Sequence, residues 1–192
     1  MDSKRFEALE QRVAVLEAEA DVRRLQARYM FLCDTPKPEF GCKNDEHRID
    51  QIMELFHKDA VWEGVGEYYD GQFGRAEGWD AIKAHFEKFW LNKENAAPVL
   101  NCHYLTSEQI RVSEDAQTAQ GNWVHMQPWV FSDGKALLRS SRLFNSFAKG
   151  EDGVWRYTRN RTENVLIAPL PKDCFSDFPS KSVLMEPGPK ES

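Results

Sequence analysis

An aspartate placed where a helix should end is the first residue that could do chemistry. Asp34 follows a long helical pattern and directly precedes Thr35 and Pro36. A helix C-terminus carries partial negative charge, so a carboxylate is unfavourable there. Departures from local rules of this kind are expected at functional sites. A turn-forming aspartate whose side chain lies in solvent is the alternative.

A histidine in the middle of a predicted strand is the second such residue. Side chains alternate along a strand, so His125 shares one face with residues 119, 121, 123, 127 and 129. These are Ala, Gly, Trp, Gln and Trp. Large aromatic rings mixed with polar groups are typical of a binding cavity. We therefore predict that His125, Trp123 and Trp129 line a cavity.

Two further residues have open alternatives. Tyr29 shares a helix face with Leu25 and Leu32, so its hydroxyl either packs in the core or stabilises an oxyanion in the cavity. Arg142 alternates with Ser140 and Phe144. If it points inward, it anchors an oxygen-bearing substrate beside Phe144; an outward, ion-paired arginine is equally consistent. Trp62 adds further aromatic surface to the predicted pocket.

The sequence lacks the motifs of metal and nucleotide chemistry. The five histidines form no HxH or HExxH pattern, so we expect no metal ion. Glycine-rich phosphate loops, nucleotide fingerprints and a Gly-x-Ser-x-Gly elbow are absent as well. We therefore expect no cofactor.

The elements that must position these residues form three helices followed by strands. Apolar spacing predicts one long helix over 3–33, whose second half changes phase and packs on the sheet. Two short helices follow. Short strands are expected around 60–64 and 68–74, and long ones at about 101–112, 118–131, 135–148 and 154–163. This order indicates an α+β fold: a curved, mostly antiparallel sheet (a cone or half-barrel) packed around the N-terminal helices. The proline-rich residues 164–192 are predicted to form an extended arm beyond a domain spanning 1–163.

Composition limits the partners. The chain has 192 residues, of which 41% are hydrophobic, and a formal charge of −6, which argues against nucleic acid. No apolar run reaches the roughly 20 residues that cross a bilayer, so no membrane partner is expected. The highly charged N-terminus does not resemble a signal peptide. We expect a cytoplasmic protein.

Six short segments, in this order, resemble the SnoaL-like branch of the nuclear transport factor 2-like superfamily, whose dehydratases include scytalone and bile acid dehydratase. The resemblance extends from about Ala8 to Glu163. It is carried by residues 16–29, Asp34, and residues 55–63, 78–82, 102–107 and 152–157.

This resemblance implies roles for the candidate residues. Dehydratases of the family pair an aspartate at the position of Asp34 with a histidine that matches His103. Such a pair suits proton abstraction, because the carboxylate orients the imidazole and stabilises the imidazolium. Tyr29 matches a tyrosine that donates to an oxyanion or leaving group. His125 matches a second histidine and is expected to act as another acid or base.

The resemblance also implies a reaction class. We expect a cofactor-independent lyase acting on a small, hydrophobic, aromatic and oxygenated substrate by dehydration or formaldehyde-releasing C–C cleavage, as in the cleavage of lignin-derived diarylpropanes. An isomerase is one alternative. A non-catalytic subunit or binding module is another; it predicts that Asp34 and His103 lie too far apart to hydrogen-bond and that side chains fill the cavity. A homo-oligomer is expected, a trimer rather than a dimer.

Overall fold

A computed structural model describes residues 3–35, 41–70, 74–92, 94, 96–171 and 174–175 of the chain. Within these residues the helices are α1 (Ser3–Cys33), α2 (Asp45–Met53), α3 (Glu67–Asp70) and α4 (Trp79–Trp90). The strands are β1 (Phe56–Val65), β2 (Arg75–Glu77), β3 (Pro98–Asn101), β4 (Tyr104–Val112), β5 (Thr118–Phe131), β6 (Ala136–Lys149) and β7 (Trp155–Leu170). None of the described helices is both long and apolar enough to span a membrane.

All described strands join one curled sheet in the order β2-β1-β7-β6-β5-β3, with β4 also paired to β5. Only β1 and β7 run parallel among these pairs. Helices α1 and α4 pack on this sheet, and α2 packs on both of these helices, which confirms the predicted α+β fold.

The edge strand beside β5 is broken in two. β3 pairs with one end of β5 and β4 with the rest, and the interruption consists of Cys102 and His103. An isolated bridge joins Asn101 to Thr35, just after α1, through backbone hydrogen bonds of 2.9 and 3.1 Å. The end of α1 is thereby attached directly to the interrupted edge.

Helix α1 has two different surfaces, as its phase shift predicted. In the second half, Val22, Leu25 and Leu32 are buried against the sheet. In the first half an apolar row remains exposed, which we call the N-terminal stripe: Phe6, Leu9, Val13 and Leu16. Apolar rows of this kind usually mark an interaction surface.

We expect a homo-oligomer because a partner subunit would cover the N-terminal stripe. Light scattering at micromolar concentration should give about three times the single-chain mass of 22.2 kDa. Leu16→Glu, at a position 62% exposed, should lower that mass, because a charge opposes burial of the stripe. A wild-type mass near that of one chain contradicts the prediction.

Several predicted segments differ from the structure. The single strand predicted at about 101–112 is divided into β3 and β4. The segment predicted as a strand at 68–74 begins instead with the single turn α3. Gly66 adopts a φ of 118°, and Tyr69 N donates to its carbonyl at 2.8 Å, which turns the chain despite the strand preference of tyrosine. The predicted arm also starts too early, because β7 pairs with β6 as far as Leu170.

Most of the remaining predicted arm lies outside the described residues. Of its described part, Phe175 is partly buried against a small apolar cluster formed by Leu100, Val130 and Ala136. This contact places the start of the arm beside β3, β5 and β6.

Candidate active site

The predicted acid–base pair forms at the broken edge strand. The side chain of Asp34, just beyond α1, lies 2.7 Å from Nδ1 of His103. The same Asp34 oxygen accepts the backbone N–H of His103 at 3.1 Å, a donor outside the β3 and β4 ladders. Both side chains are largely buried, at 19% and 10% exposure. A carboxylate acceptor keeps the proton of a neutral imidazole on Nδ1 and leaves Nε2 as the base.

A chain of amides holds the other side of the imidazole. Asn101 Nδ2 donates to the carbonyl of Cys33 at 3.0 Å. The side-chain oxygen of Asn101 therefore faces Gln127 and accepts a hydrogen bond from the Gln127 amide nitrogen. The same nitrogen lies 3.1 Å from His103 Nε2. An amide NH₂ group has two donors, so His103 Nε2 must accept the second. The Cys33–Asn101–Gln127 chain therefore selects the same tautomer as Asp34.

This chain gives Gln127 a positioning role that an exchange can reveal. Gln127→Glu replaces the donor facing His103 Nε2 with an acceptor, which favours the imidazolium. We expect ¹⁵N NMR to show a larger fraction of imidazolium at His103 in the variant than in the wild type at the same pH. The acidic limb of the kcat/KM profile should move to higher pH.

Gln127→Met is the matched control, because it removes the donor without adding a charge. It should not raise the fraction of imidazolium at His103 as Gln127→Glu does. Identical imidazole spectra for the wild type and Gln127→Glu would contradict the positioning role.

The second predicted histidine stacks on the first. The rings of His103 and His125 lie 5.1 Å apart at 17°. His125 is 3% exposed, and neither ring nitrogen has a hydrogen-bond partner among the described residues. Burial lowers its pKa to about 2, with repulsion from His103 and Arg139 acting in the same direction. His125 is therefore a neutral imidazole at physiological pH and can contribute a hydrogen bond rather than a full positive charge.

This neutral histidine should make folding acid-sensitive. The unfolded chain takes up a proton on His125 below about pH 6.5, whereas the folded chain does so only near pH 2. The free energy of unfolding should therefore fall by about 1.4 kcal/mol per pH unit below that point. His125→Phe should reduce this slope in urea unfolding between about pH 7 and pH 5. Equal slopes would contradict the buried, neutral state.

Tyr29 reaches the pocket from α1. Its hydroxyl accepts a 3.0 Å hydrogen bond from Trp62 Nε1, and burial raises its pKa well above the usual value. The phenol therefore stays protonated and keeps a proton to donate. Trp62 stacks on His85 at 4.2 Å, a pocket histidine that sequence reasoning passed over. Burial, with repulsion from Lys88, lowers the pKa of His85 to about 4.

These residues line one pocket enclosed by α1, α4 and the concave face of the sheet. Its cavity volume is about 90 Å³. The predicted residues on its wall are Tyr29, Trp62, His103, His125 and Trp129. Sequence reasoning assigned no role to several polar residues that also line it: His85, Asn101, Gln127, Arg139 and Asn160.

Asn160 is the clearest of these omissions. It is 2% exposed, and its Nδ2 has no hydrogen-bond partner among the described residues. A buried donor in this state carries a desolvation cost that a substrate oxygen would remove.

Three predicted substrate contacts do not line this pocket. Arg142 and Phe144 are exposed on the convex face of β6, because Arg139, Ser141 and Leu143 occupy the alternate, buried positions. Trp123 is buried, but its ring lies over Gly121 and its Nε1 donates to Glu108 at 3.2 Å. It belongs to the core beneath α1 and not to the pocket wall.

The described residues bring no three His, Cys, Asp or Glu side chains together as metal ligands. The polar groups on the wall include imidazole, phenol, amide and guanidinium groups, together with the Thr162 hydroxyl and the Cys33 thiol. Such groups move protons and bind oxygen atoms.

Solved structures with this architecture are numerous. A provisionally named aromatic ring hydroxylase from Novosphingobium aromaticivorans has a TM-score of 0.63 at 22% identity, covering 81% of this chain and 94% of its own. A type 2 hexachlorocyclohexane dehydrochlorinase, LinA, gives 0.62 at 17%, covering 83% and 93%. A provisionally named scytalone dehydratase from N. aromaticivorans gives 0.61 at 16%, covering 82% and 91%. No curated protein sequence matches the chain.

A solved protein from N. aromaticivorans described as nuclear transport factor 2-like has the same fold, with a TM-score of 0.58 at 20% identity, covering 86% of this chain and 92% of its own. The SnoaL-like domain family matches residues 14–161, and the chain belongs to that family. The family resemblance expected from the sequence is thereby confirmed. Because the structural neighbours include a dehydrochlorinase, small-molecule lyase chemistry occurs on this fold. The particular reaction of such a chain depends on the residues of its pocket and not on the fold.

Proposed function

We propose that the chain is a cofactor-independent lyase acting on a small, aromatic, oxygenated substrate. The observation that carries the proposal is the 2.7 Å contact between Asp34 and His103 at the wall of an aromatic pocket. A non-catalytic binding module needs no such contact. Packing of the core does not explain the contact between Asp34 and His103 either, because burial of two polar groups is unfavourable in an apolar core.

The acid–base chemistry follows from the tautomer. The substrate displaces the Gln127 amide from His103 Nε2, which then takes a proton from the substrate. Asp34 stabilises the resulting imidazolium. Tyr29, which stays protonated, and the neutral His125 donate hydrogen bonds to the departing oxygen. The proton on His103 Nε2 then passes to the leaving hydroxide, which departs as water.

In this proposal the described lining residues supply acid–base groups, and the substrate supplies the electron sink. An aryl ring that can form a quinone-methide-like intermediate does so and stacks on Trp129. Abstraction of a C–H proton with loss of hydroxide gives an alkene and water. Alternatively, His103 takes the proton of a primary alcohol. The adjacent C–C bond then breaks, and its electron pair forms the double bond of the alkene as hydroxide leaves. Formaldehyde is released, and the hydroxide takes the proton from His103 and leaves as water.

One assay tests the proposal and separates the two outcomes. The protein is incubated with EDTA and an aryl-propanediol, alkene absorbance is followed, and formaldehyde is measured. Alkene with formaldehyde indicates C–C cleavage, whereas alkene without it indicates dehydration. Activity that EDTA abolishes and a metal restores would overturn the mechanism, as would the absence of turnover across a series of aryl diols.

A further inference from the structure

The pocket contains a buried cation that the proposed mechanism does not use. Arg139 on β6 is 1% exposed and lines the pocket. Its guanidinium carbon lies 4.1 Å from the ring centre of Trp129, 4.9 Å from Tyr69 and 5.2 Å from Tyr68. Burial of a positive charge is costly, and the negative faces of these rings offset part of that cost.

Arg139 stands close to the acid–base pair. In the β5–β6 ladder it lies opposite Gln127, whose amide is bonded to His103. Its charge is also one cause of the lowered pKa of His125. A group bound by Arg139 therefore lies beside the imidazoles that would move the proton.

The charge of the wall favours an anion. No Asp or Glu is among the described residues that line the pocket. Aromatic rings bind the flat face of a guanidinium, whereas a carboxylate binds its edge through two parallel hydrogen bonds. The same arginine can therefore hold stacked rings and an anionic group at once. Asn160 adds a buried amide donor to the same pocket.

We propose that Arg139 binds an anionic oxygen group of the aromatic substrate, a carboxylate or a phenolate, and so selects the substrate class. The inference deepens the proposed function and rests on it in treating this pocket as the substrate site. Arg139 thus has the substrate-anchoring role that the sequence suggested for Arg142, and the group that it binds is an anion.

Binding experiments test this without any turnover. Quenching of tryptophan fluorescence gives the affinity of naphthoate and of its neutral isostere naphthamide. Nitrophenolate and nitroanisole form the second pair and distinguish a phenolate from a carboxylate. We expect the wild type to bind at least one anion about tenfold or more tightly than its neutral partner.

Arg139→Met should abolish this preference. Arg142→Met is the matched control: it removes an exposed arginine from the convex face of the same strand and should retain the preference in full. Circular dichroism and thermal melts establish that each variant is folded. Arg139→Lys keeps the charge without the bidentate edge and should retain part of the preference.

Equal wild-type affinities within both pairs would overturn the inference, whatever the variants do. So would an anion preference that survives Arg139→Met. If the preference holds but no aryl diol is turned over, the proposed lyase activity fails while the binding inference stands. If neutral diols are turned over and no anion is preferred, the lyase stands and the inference fails.

Discussion

Replacing His103 with alanine is expected to lower kcat on an aryl-diol substrate by about 10²–10⁴-fold, the usual range for loss of a general base. Asp34→Asn should lower kcat by a similar factor, because the amide cannot stabilise the imidazolium at 2.7 Å. The double variant should be little worse than either single variant, since the two residues act as one unit. Steady-state kinetics of the three variants measures both effects.

Controls for this experiment come from β1. His57→Ala and Asp59→Asn change the same residue types outside the pocket lining and should leave kcat within about twofold, as expected for groups that do not touch the substrate. A folded His103→Ala or Asp34→Asn variant with wild-type kcat would rule out the assignment of the base.

Among the substitutions described, Glu63→Ala should cause the largest decrease in the free energy of unfolding. Its carboxylate is only 8% exposed and accepts hydrogen bonds from Arg75 at 3.0 Å, Arg159 at 2.7 Å and Arg161 at 3.0 Å. Burial alone would raise the pKa of Glu63, yet hydrogen bonds from Arg159 and Arg161 bring it below the usual value. Removing it leaves the clustered cations of Arg75 on β2 and of Arg159 and Arg161 on β7 without their shared carboxylate, at a cost of about 3 kcal/mol. Urea unfolding measures the change.

Glu77 provides the matched control for this substitution. It also pairs with Arg75, at 2.9 Å, but is 66% exposed. Exposed ion pairs contribute at most about 1 kcal/mol, so Glu77→Ala should have little effect. Similar losses at Glu63 and Glu77 would contradict the view that burial makes the Glu63 cluster important.

The fold was largely predictable because long elements carry repeated evidence. Helix α1 and the strands β5 and β6 each span many residues, so their apolar periodicity identifies them with ends correct to about two residues. The short segment at 68–74 was misassigned, because its structure depends on a single backbone angle at Gly66 and not on a pattern. The register that extends β7 to Leu170 is a long-range property of the ladder with β6.

The candidate site divides in the same way. Asp34 was suggested by its place at the end of a helix, and its pairing with His103 by the family resemblance. Strand alternation indicated the face containing His125 and Gln127. Arg139 was missed because the side of β6 that faces the pocket was undetermined; a change of one residue moves every side chain to the opposite face. The role of Gln127 depends on Asn101, an amide 26 positions away in the chain, so no local pattern could indicate it.

The bridge between Thr35 and Asn101 affects how the sequence of such a protein can diverge in evolution. It fixes the end of α1 to β3 through main-chain hydrogen bonds, and the Asn101 side chain adds a hydrogen bond to the Cys33 carbonyl. The spacing of Asp34 and His103 is therefore set by residues that lie outside β6 and β7. Substitutions on β6 and β7 can reshape the cavity while the proton-transfer apparatus stays in place. Divergence of substrate preference is therefore separable from loss of reactivity, and a protein engineer can alter the two independently.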